Sequence, residues 1–339
     1  MAASAPAPAP APPHAIEGSS PIVDDKAANV IASYEIPEPE PFVSFNALKD
    51  RIRHHYELAS DYYYSLWGEH IHHGYFLTAS DTKERAQVQL VELLLERSGL
   101  PRGSSVLDVG CGIGGTSRHL AKEHGCHVVG VTISGRQVEI ACRLTSEASG
   151  TQPDTAGAGS ATKLGDGSVK FIELDAEKMG AFFTTEPNVG TFDCVWISEA
   201  MSHLPNKELF FRNAALLLRE GGQLVVADWF KREDLTEQQF QDDIAPIEDG
   251  MLLPPLCSQA EYVRLANSAG LKTTAAPFDI SKQVSKTWDI SWSLIQNPAL
   301  WAFAVAQGRD GLAFMQAFHA MRRGFATGTF RYAVMAFQK

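Results

Sequence analysis

Closely spaced glycines beside an acid are the first residues in this chain with a clear chemical use. Residues 106–115 read VLDVGCGIGG, so Asp108 is followed by glycines at positions 110, 112, 114 and 115. Apolar residues before the glycines and a helix-forming run after them predict a strand, a tight turn and a helix N-terminus. Glycine allows the turn and lets a ligand approach the backbone closely. Because open α/β sheets bind ligands at the carboxyl ends of their strands, Asp108 is predicted to contact a bound small molecule.

This glycine turn is compatible with two classes of cofactor. Gly110, Gly112 and Gly115 satisfy G-x-G-x-x-G, the fingerprint of dinucleotide-binding folds. That fingerprint also needs an acid about twenty residues later, after the second strand, to bind the ribose. Here the predicted second strand, residues 127–131, is followed by Thr-Ile-Ser without an acid. The pattern D-x-G-x-G-x-G instead resembles the first motif of S-adenosylmethionine (SAM) methyltransferases, with a purely structural turn as the remaining alternative.

SAM needs partners for its amino-acid end, its ribose and its adenine, and electron-rich surroundings for its sulfonium. Candidates for these contacts follow the first three predicted strands: Asp108 and Gly110 for the amino-acid end, Thr132, Ser134 and Gln137 for the ribose, and Asp175 and Ala176 for the adenine. The same Thr132 and Ser134 can cap the helix predicted over 135–148, and both roles are compatible.

A possible proton acceptor follows the fourth predicted strand. Glu199 and His203 are four residues apart and share a face if this turn is helical. A histidine beside an acid is a plausible general base. The alternative is that Glu199 caps a turn and His203 only shapes the floor of the pocket. The other histidine group, residues 70–73, has no spacing typical of zinc sites and no nearby cysteine, so no metal is predicted.

Composition limits the classes of protein to consider. The chain has 339 residues, 45% of them hydrophobic, which is enough for a folded core. A net charge of −11 argues against nucleic acid or an anionic membrane as partner. No apolar run approaches the ~18–20 residues of a membrane-spanning helix, so no stable membrane insertion is expected. Five cysteines without a C-x-x-C pair indicate free thiols in a reducing compartment, and we expect a cytoplasmic protein.

Strands alternating with helices predict an α/β fold with a mostly parallel sheet of seven strands, the last one antiparallel, and a helical lid. The strands are expected at 105–109, 127–131, 170–174, 192–197, 223–227, 271–279 and 330–337. The predicted organisation is a disordered Ala/Pro-rich tail (1–41), an N-terminal helical cap (42–100), a Rossmann-like cofactor-binding core (101–230) with a flexible insertion (149–168), lid and substrate-binding helices with the penultimate strand (231–329), and the last strand (330–339).

Several longer motifs carry a family resemblance. YYYSLWGEHIHHGYF, LDVGCGIGG, VTISGRQVE, WISEAMSHLPNK, GGQLVVADW and LPPLCSQAEYVRLANSAGL resemble the γ-tocopherol methyltransferase family, which is related to sterol C-methyltransferases and alkaloid N-methyltransferases. The resemblance runs from about residue 45 to the C-terminus and implies a class I SAM methyltransferase. It adds Gly112 and Tyr75 to the cofactor contacts, places Trp67 and His73 in a segment closing over the cofactor, and makes the 199–205 turn the floor of the reaction site. Relatives commonly carry Glu where this chain has Ser202.

These observations predict a SAM-dependent methyltransferase acting on a lipophilic small molecule, such as a terpenoid, a prenylated aromatic or an alkaloid. The methyl group would pass in line to a carbon, nitrogen or oxygen acceptor about 3 Å away, with His203 orienting it or accepting its proton. Part of the aromatic block at 288–325 is expected to face the substrate. The predicted substrate contacts are His73, Trp67, Met201, Trp288 and Trp292. The alternative is a SAM-binding protein of the same fold, such as a cyclase, without methyl transfer. The oligomeric state is left open.

Overall fold

An eight-stranded sheet forms the centre of the molecule. The computed structural model describes residues 44–150, 161–185, 192–295, 301 and 304–339. The strands, numbered along the chain, are β1 (Ser105–Val109), β2 (His127–Thr132), β3 (Thr162–Leu164), β4 (Gly167–Glu173), β5 (Phe192–Ser198), β6 (Leu218–Lys231), β7 (Lys272–Asp279) and β8 (Phe330–Gln338). Their order across the sheet is β3-β4-β2-β1-β5-β6-β8-β7.

The strand directions confirm the predicted fold class. Strands β4, β2, β1, β5 and β6 run parallel. Strand β8 lies antiparallel between β6 and β7. The pair β7 and β8 is the predicted final hairpin, with helices in the connection between its strands.

The additional strand, β3, falls inside the segment predicted to be a flexible insertion. It pairs antiparallel with β4, and Leu164 lies opposite Gly167. Only Gly165 and Asp166 connect them, and Gly165 has φ +58°. A two-residue connection of this kind is typical of a tight β-hairpin. Residues 162–168 of the predicted insertion are therefore part of a regular hairpin, and residues 151–160 of that segment lie outside the described residues.

Helices cover both faces of the sheet. In chain order among the described residues they are α1 (Phe45–Trp67), α2 (Lys83–Ser98), α3 (Gly115–His124), α4 (Gly135–Ser149), α5 (Met179–Thr185), α6 (Lys207–Leu217), α7 (Glu237–Gln239), α8 (Ala245–Gly250), α9 (Gln259–Ser268), α10 (Ser281–Val284), α11 (Lys286–Ile295) and α12 (Arg309–Thr327). A π-helical turn, Phe240–Ile244, joins α7 to α8. In the parts of the chain that the structure describes, none of the helices has the length and apolar character needed to cross a bilayer.

The central strand β1 is buried on both faces of the sheet. This packing holds the glycine turn that follows the strand in one position. Successive strand residues point to opposite faces. Val106 therefore packs with the helices on one face, while Leu107 and Val109 pack on the other. Each such apolar side chain contributes roughly 1.5–3 kcal/mol on burial. The backbone amide of Gly110 then donates to the carbonyl of Val131 at 2.8 Å, so the glycine turn is attached to the rigid centre of the sheet.

Candidate active site

The glycine turn after β1 has a backbone that only glycine adopts readily. Gly110, Gly112 and Gly114 have φ of +74°, +54° and +78°. A Cβ added to Gly110 would lie 2.2 Å from the Cβ of Ala200, so that glycine is required by the packing of the neighbouring turn. A Cβ added to Gly112 would meet no protein atom within 4 Å. The space over Gly112 therefore lies open on its cleft side.

A cleft runs along the carboxyl ends of β1, β2, β4 and β5, where the sheet topology predicts ligand binding. The structure brings most of the predicted contacts together on its wall: Gly110, Gly112, Thr132, Gln137, Asp175, Ala176, Glu199 and His203. Helix α1 contributes side chains that sequence reasoning did not select: Lys49, Ile52 and Tyr56. Their periodicity fits an ordinary amphipathic helix, so the sequence carried no separate signal for them.

At the end of β2, two polar side chains are joined to each other. The Thr132 hydroxyl donates to Gln137 Oε1 at 2.5 Å. Ser134 lies beside them, but its Oγ accepts from the Gln137 amide as the N-cap of α4 and donates to Glu57 Oε1 at 2.8 Å. Thr132 and Gln137 line the cleft, whereas Ser134 is buried behind them. The contacts of Ser134 are therefore those of a helix N-cap, which was the alternative to a contact with the ribose.

Beside these residues, at the end of β4, a lysine of α1 pairs with two carboxylates. Lys49 of α1 donates to Asp175 Oδ2 at 3.1 Å and also to Glu177. Burial disfavours the charged ammonium, but the hydrogen bonds to both carboxylates outweigh it and raise the pKa of Lys49. Among the described residues that line the cleft, Lys49 is the single lysine or arginine, and it is neutralised.

Asp108 lies beneath the turn and is absent from the described lining of the cleft. Strand alternation puts it on the face of Val106, where α3 packs. There it is 3% exposed, and Ser117 of α3 donates to its Oδ2 at 2.6 Å. Burial raises the pKa of Asp108 to about 6, in spite of this hydrogen bond. The side chain thus ties the turn to α3, while the sequence had predicted a direct contact with ligand.

Glu199 is the centre of a buried hydrogen-bond network at the end of β5. It has φ +55°, an uncommon value for a residue other than glycine. Its Oε1 accepts from the His73 amide at 2.7 Å and from the Tyr332 hydroxyl at 2.8 Å, and its Oε2 accepts from His73 Nδ1 at 2.8 Å. Burial favours the neutral acid, but the charge and hydrogen bonds of His73 outweigh it, so the pKa of Glu199 is lowered. Sequence reasoning paired Glu199 with His203 and missed both of these partners.

Aromatic rings surround His73 and form what we call the aromatic chamber. The ring centroids lie at 5.0 Å (Trp288), 5.1 Å (Tyr332), 5.9 Å (Trp229) and 6.2 Å (Phe325) from that of His73. His73 Nε2 is buried and has no hydrogen-bond partner among the described residues. A carboxylate can only accept, so Nδ1 carries a proton and, in the neutral ring, Nε2 carries the lone pair. His73 is not among the described residues that line the cleft, but Glu199, to which it is hydrogen-bonded, is, so Nε2 is a buried acceptor next to the cleft wall.

His203 borders the same region from below. It ends the 3₁₀ turn Met201–His203, and its ring lies 6.2 Å from both Tyr56 and Trp229. Trp229 is thus shared between the His203 ring and the aromatic chamber. The 199–205 turn, predicted to form the floor of the site, contributes Glu199, Ala200, His203, Leu204 and Pro205 to the cleft wall.

Six other predicted site residues are outside the described cleft lining: His73 and Trp288 belong to the aromatic chamber, and the remaining four lie elsewhere. Met201 is fully buried in the core, and Tyr75 packs with α2. Trp67 Nε1 donates to the His72 carbonyl at 3.3 Å. Trp292 packs on the rings of His319 and the guanidinium of Arg322. Each of the four has protein neighbours in its observed position, and Trp67 is only partly buried.

The residues present fit SAM. The open turn at Gly112 admits a ligand against the backbone, and polar side chains at Thr132, Gln137 and Asp175 follow it at the sheet edge. Apolar Ile133 and Leu174 lie between them. The neutralised Lys49 leaves no unbalanced cation to repel a sulfonium in the described cleft.

Comparisons with known proteins agree with this cleft. Residues 45–156 match the family model described as mycolic acid cyclopropane synthetase, and residues 107–226 match the model described as a methyltransferase domain. The chain is 28% identical to a probable chloroplastic tocopherol O-methyltransferase of Oryza sativa subsp. japonica, over 86% of this chain and 78% of that protein. It is 30% identical to the 27-O-demethylrifamycin SV methyltransferase of Amycolatopsis mediterranei, over 69% of this chain and 77% of that protein.

A solved structure shows the same fold. A mycolic acid cyclopropane synthase, crystallised with SAH and CTAB, superposes with a TM-score of 0.68 at 20% identity, covering 86% of this chain and 98% of that one. The matches to methyltransferases extend over the strands, the glycine turn and the cleft described above. The chain therefore belongs to the SAM-dependent small-molecule methyltransferases, and it is an enzyme that uses SAM as its cofactor.

Proposed function

We propose that this enzyme methylates a hydroxyl group of a lipophilic small molecule, with His73 accepting the proton that the hydroxyl loses. The observation that carries the proposal is the Glu199–His73 pair inside the aromatic chamber. The aromatic rings form an apolar surface that can pack against a lipophilic acceptor, and the lone pair at His73 Nε2 can accept a hydroxyl proton. The two curated relatives described above are both named for reactions at oxygen.

On the cofactor side, the backbone at Gly110 and Gly112 would hold the amino-acid end, Thr132 and Gln137 the ribose, and Asp175 with Ala176 the adenine. Bound SAM supplies an electrophilic methyl group on its sulfonium. Asp108 supports this arrangement from beneath, because it joins the turn to Ser117 of α3. Lys49 orients Asp175 and balances its charge.

On the acceptor side, His73 Nε2 would accept the hydroxyl proton as the oxygen takes the methyl group that bound SAM would supply. The resulting imidazolium is stabilised by the carboxylate of Glu199, whose pKa is lowered in this position. Tyr332 holds the same carboxylate through its hydroxyl. His203 packs against Trp229 and Tyr56 and positions the acceptor from the cleft floor. General bases of this type contribute typically 10²–10⁴-fold to a rate.

Methyl transfer from labelled SAM tests the proposal. Purified enzyme is incubated with hydroxylated lipophilic acceptors, among them prenylated phenols and polyketide-derived phenols, and the label in the organic extract is counted. Matched methyl ethers of the same compounds are the control and should take up no label. SAM binding by calorimetry without transfer to any hydroxyl acceptor would contradict the proposal and favour the cyclase-like alternative.

We infer a cytosolic location from the thiols. Among the described residues, none of Cys111, Cys126, Cys142, Cys194 and Cys257 forms a disulfide. Five cysteines without a disulfide are typical of a reducing compartment. The net charge of −11 supports a small-molecule substrate over nucleic acid. Fractionation of the source cells with an antibody to the chain would test the location.

A further inference from the structure

A second cluster of ligating side chains lies outside the active site, where α2 contacts α3. Glu92 of α2 lies 27 residues before His119 in the chain, but its Oε1 lies 2.6 Å from His119 Nε2. The same oxygen lies 2.8 Å from His124 Nε2. The three ligand atoms lie within 4.8 Å of one another. Two imidazole nitrogens and a carboxylate oxygen therefore converge on one point.

This convergence suits a transition-metal ion better than a hydrogen-bond network alone. A carboxylate has two oxygens, yet both imidazoles aim at the same one. Two histidines and one acid are an established ligand set for zinc, with bond lengths of about 2.0–2.2 Å, and the fourth position is held by water. Ligand atoms at those distances lie roughly 3–3.5 Å apart in a tetrahedral site, so small side-chain movements would open the cluster to an ion.

The surroundings would allow such an ion to enter. The Glu92 side chain is 45% exposed, whereas those of His119 and His124 are 14% and 23% exposed. The neighbouring basic side chains form ion pairs outside the cluster: Lys122 pairs with Glu123, and Arg118 pairs with Glu69. Water can reach the cluster to complete the coordination, and the carboxylate offsets part of the charge of the ion.

We propose that Glu92, His119 and His124 bind a divalent transition-metal ion, with zinc as the preferred one. The ion would join α2 to the last turn of α3, the helix that begins at the glycine turn. His124 lies about 14 Å along α3 from that turn, so the ion has no part in methyl transfer and acts as a clamp between two helices. No metal was predicted from the sequence, because no short motif connects these three residues.

Calorimetry with zinc chloride tests the site. The full chain is prepared without a histidine tag, stripped with EDTA, and titrated with zinc. We expect one equivalent to bind, and each of Glu92→Gln, His119→Asn and His124→Asn to weaken that binding at least tenfold. The matched control is His127→Asn, which changes an exposed histidine on β2 that pairs with Ser168, and it should bind zinc like the wild type. Circular dichroism of the metal-free variants checks that they are folded.

Thermal unfolding gives a second measurement. Excess zinc should raise the Tm of the wild type and of His127→Asn by several degrees, because an ion that binds only the folded state stabilises it. It should leave the Tm of Glu92→Gln nearly unchanged. The proposal is overturned if the wild type binds no zinc, if the three substitutions leave zinc affinity unchanged, or if alkylation of the cysteines abolishes binding instead.

Discussion

Replacing Glu199 by Gln should move a proton from one nitrogen of His73 to the other. In the wild type, the carboxylate accepts from Nδ1 at 2.8 Å, which leaves the lone pair on Nε2. The glutamine carbonyl can still accept from the His73 amide and the Tyr332 hydroxyl. Its NH₂ group then takes the place of Oε2 and donates to Nδ1. The proton of the neutral ring must shift to Nε2, which becomes a donor and can no longer accept from the acceptor hydroxyl.

The size of the effect follows from the role proposed for His73. Loss of a general base costs about 10²–10⁴-fold in rate, or about 3–5 kcal/mol of activation free energy. We therefore expect kcat of Glu199→Gln to fall by about 10²–10⁴-fold. Tyr332→Phe is the matched control, since it removes one hydrogen bond from the same carboxylate but leaves Nδ1 protonated. One hydrogen bond of about 0.5–1.5 kcal/mol limits that loss to roughly tenfold.

Single-turnover methyl transfer from labelled SAM, at saturating acceptor, measures both variants. NMR of protein labelled with ¹⁵N-histidine reads the tautomer of His73 without any substrate, and calorimetry checks that SAM affinity is preserved. If Glu199→Gln shows the shifted tautomer but retains a rate within threefold of the wild type, His73 is not the base. If the tautomer is unchanged, the account of the hydrogen bonds is wrong.

Three further predictions follow from single side chains. Gly112→Ala should weaken SAM binding at least tenfold in calorimetry. The new Cβ would project into the cleft, and a φ of +54° costs alanine about 1–2 kcal/mol. Unchanged SAM affinity would contradict the assignment of this cleft to the cofactor. Trp288→Leu should raise KM for the lipophilic acceptor by about tenfold, through loss of ring contacts with the substrate, while the Kd for SAM stays constant. Asp228 is fully buried, accepts from the Tyr262 hydroxyl at 2.8 Å, and has its pKa raised by burial from 3.8 to about 6. The folded state therefore holds this proton more tightly, so its stability falls as pH rises from about 4 to 6. Asp228→Asn should gain on the order of 3 kcal/mol relative to the wild type in denaturant unfolding at pH 7, and little at pH 4; an equal gain at both pH values would refute the assignment.

The glycine turn and the polar residues of the cleft wall could be predicted from the sequence because their signal is local. Positive φ at Gly110 and Gly112 requires glycine, and the polar residues that follow β2 and β4 lie directly after apolar runs. Parallel strands bring those ends to one edge of the sheet, so their proximity follows from the topology. The seven predicted strands were found for the same reason.

The hydrogen-bond network around Glu199 could not be predicted in this way. Glu199, His73 and Tyr332 are separated by more than 120 residues along the chain. Their contact depends on how the 68–76 segment crosses the ends of β5 and β8, which periodicity does not encode. Asp108 lies at the strand end where it was predicted, but its contact with α3, which follows from strand alternation, was not part of the prediction. Strand β3 was missed because polar composition outweighed the Gly-Asp signal of a two-residue turn.

The place of β8 in the sheet has a consequence for biosynthesis. This strand is translated after all the others described, yet it is inserted between β6 and β7 and carries Tyr332 to Glu199. A nascent chain that has not yet released these residues from the ribosome leaves two strand edges unpaired and Glu199 without its hydrogen bond from Tyr332. Activity should therefore arise only once residues 330–338 have emerged from the ribosome, and premature stop codons even a few residues upstream of 330 should yield aggregation-prone, inactive product.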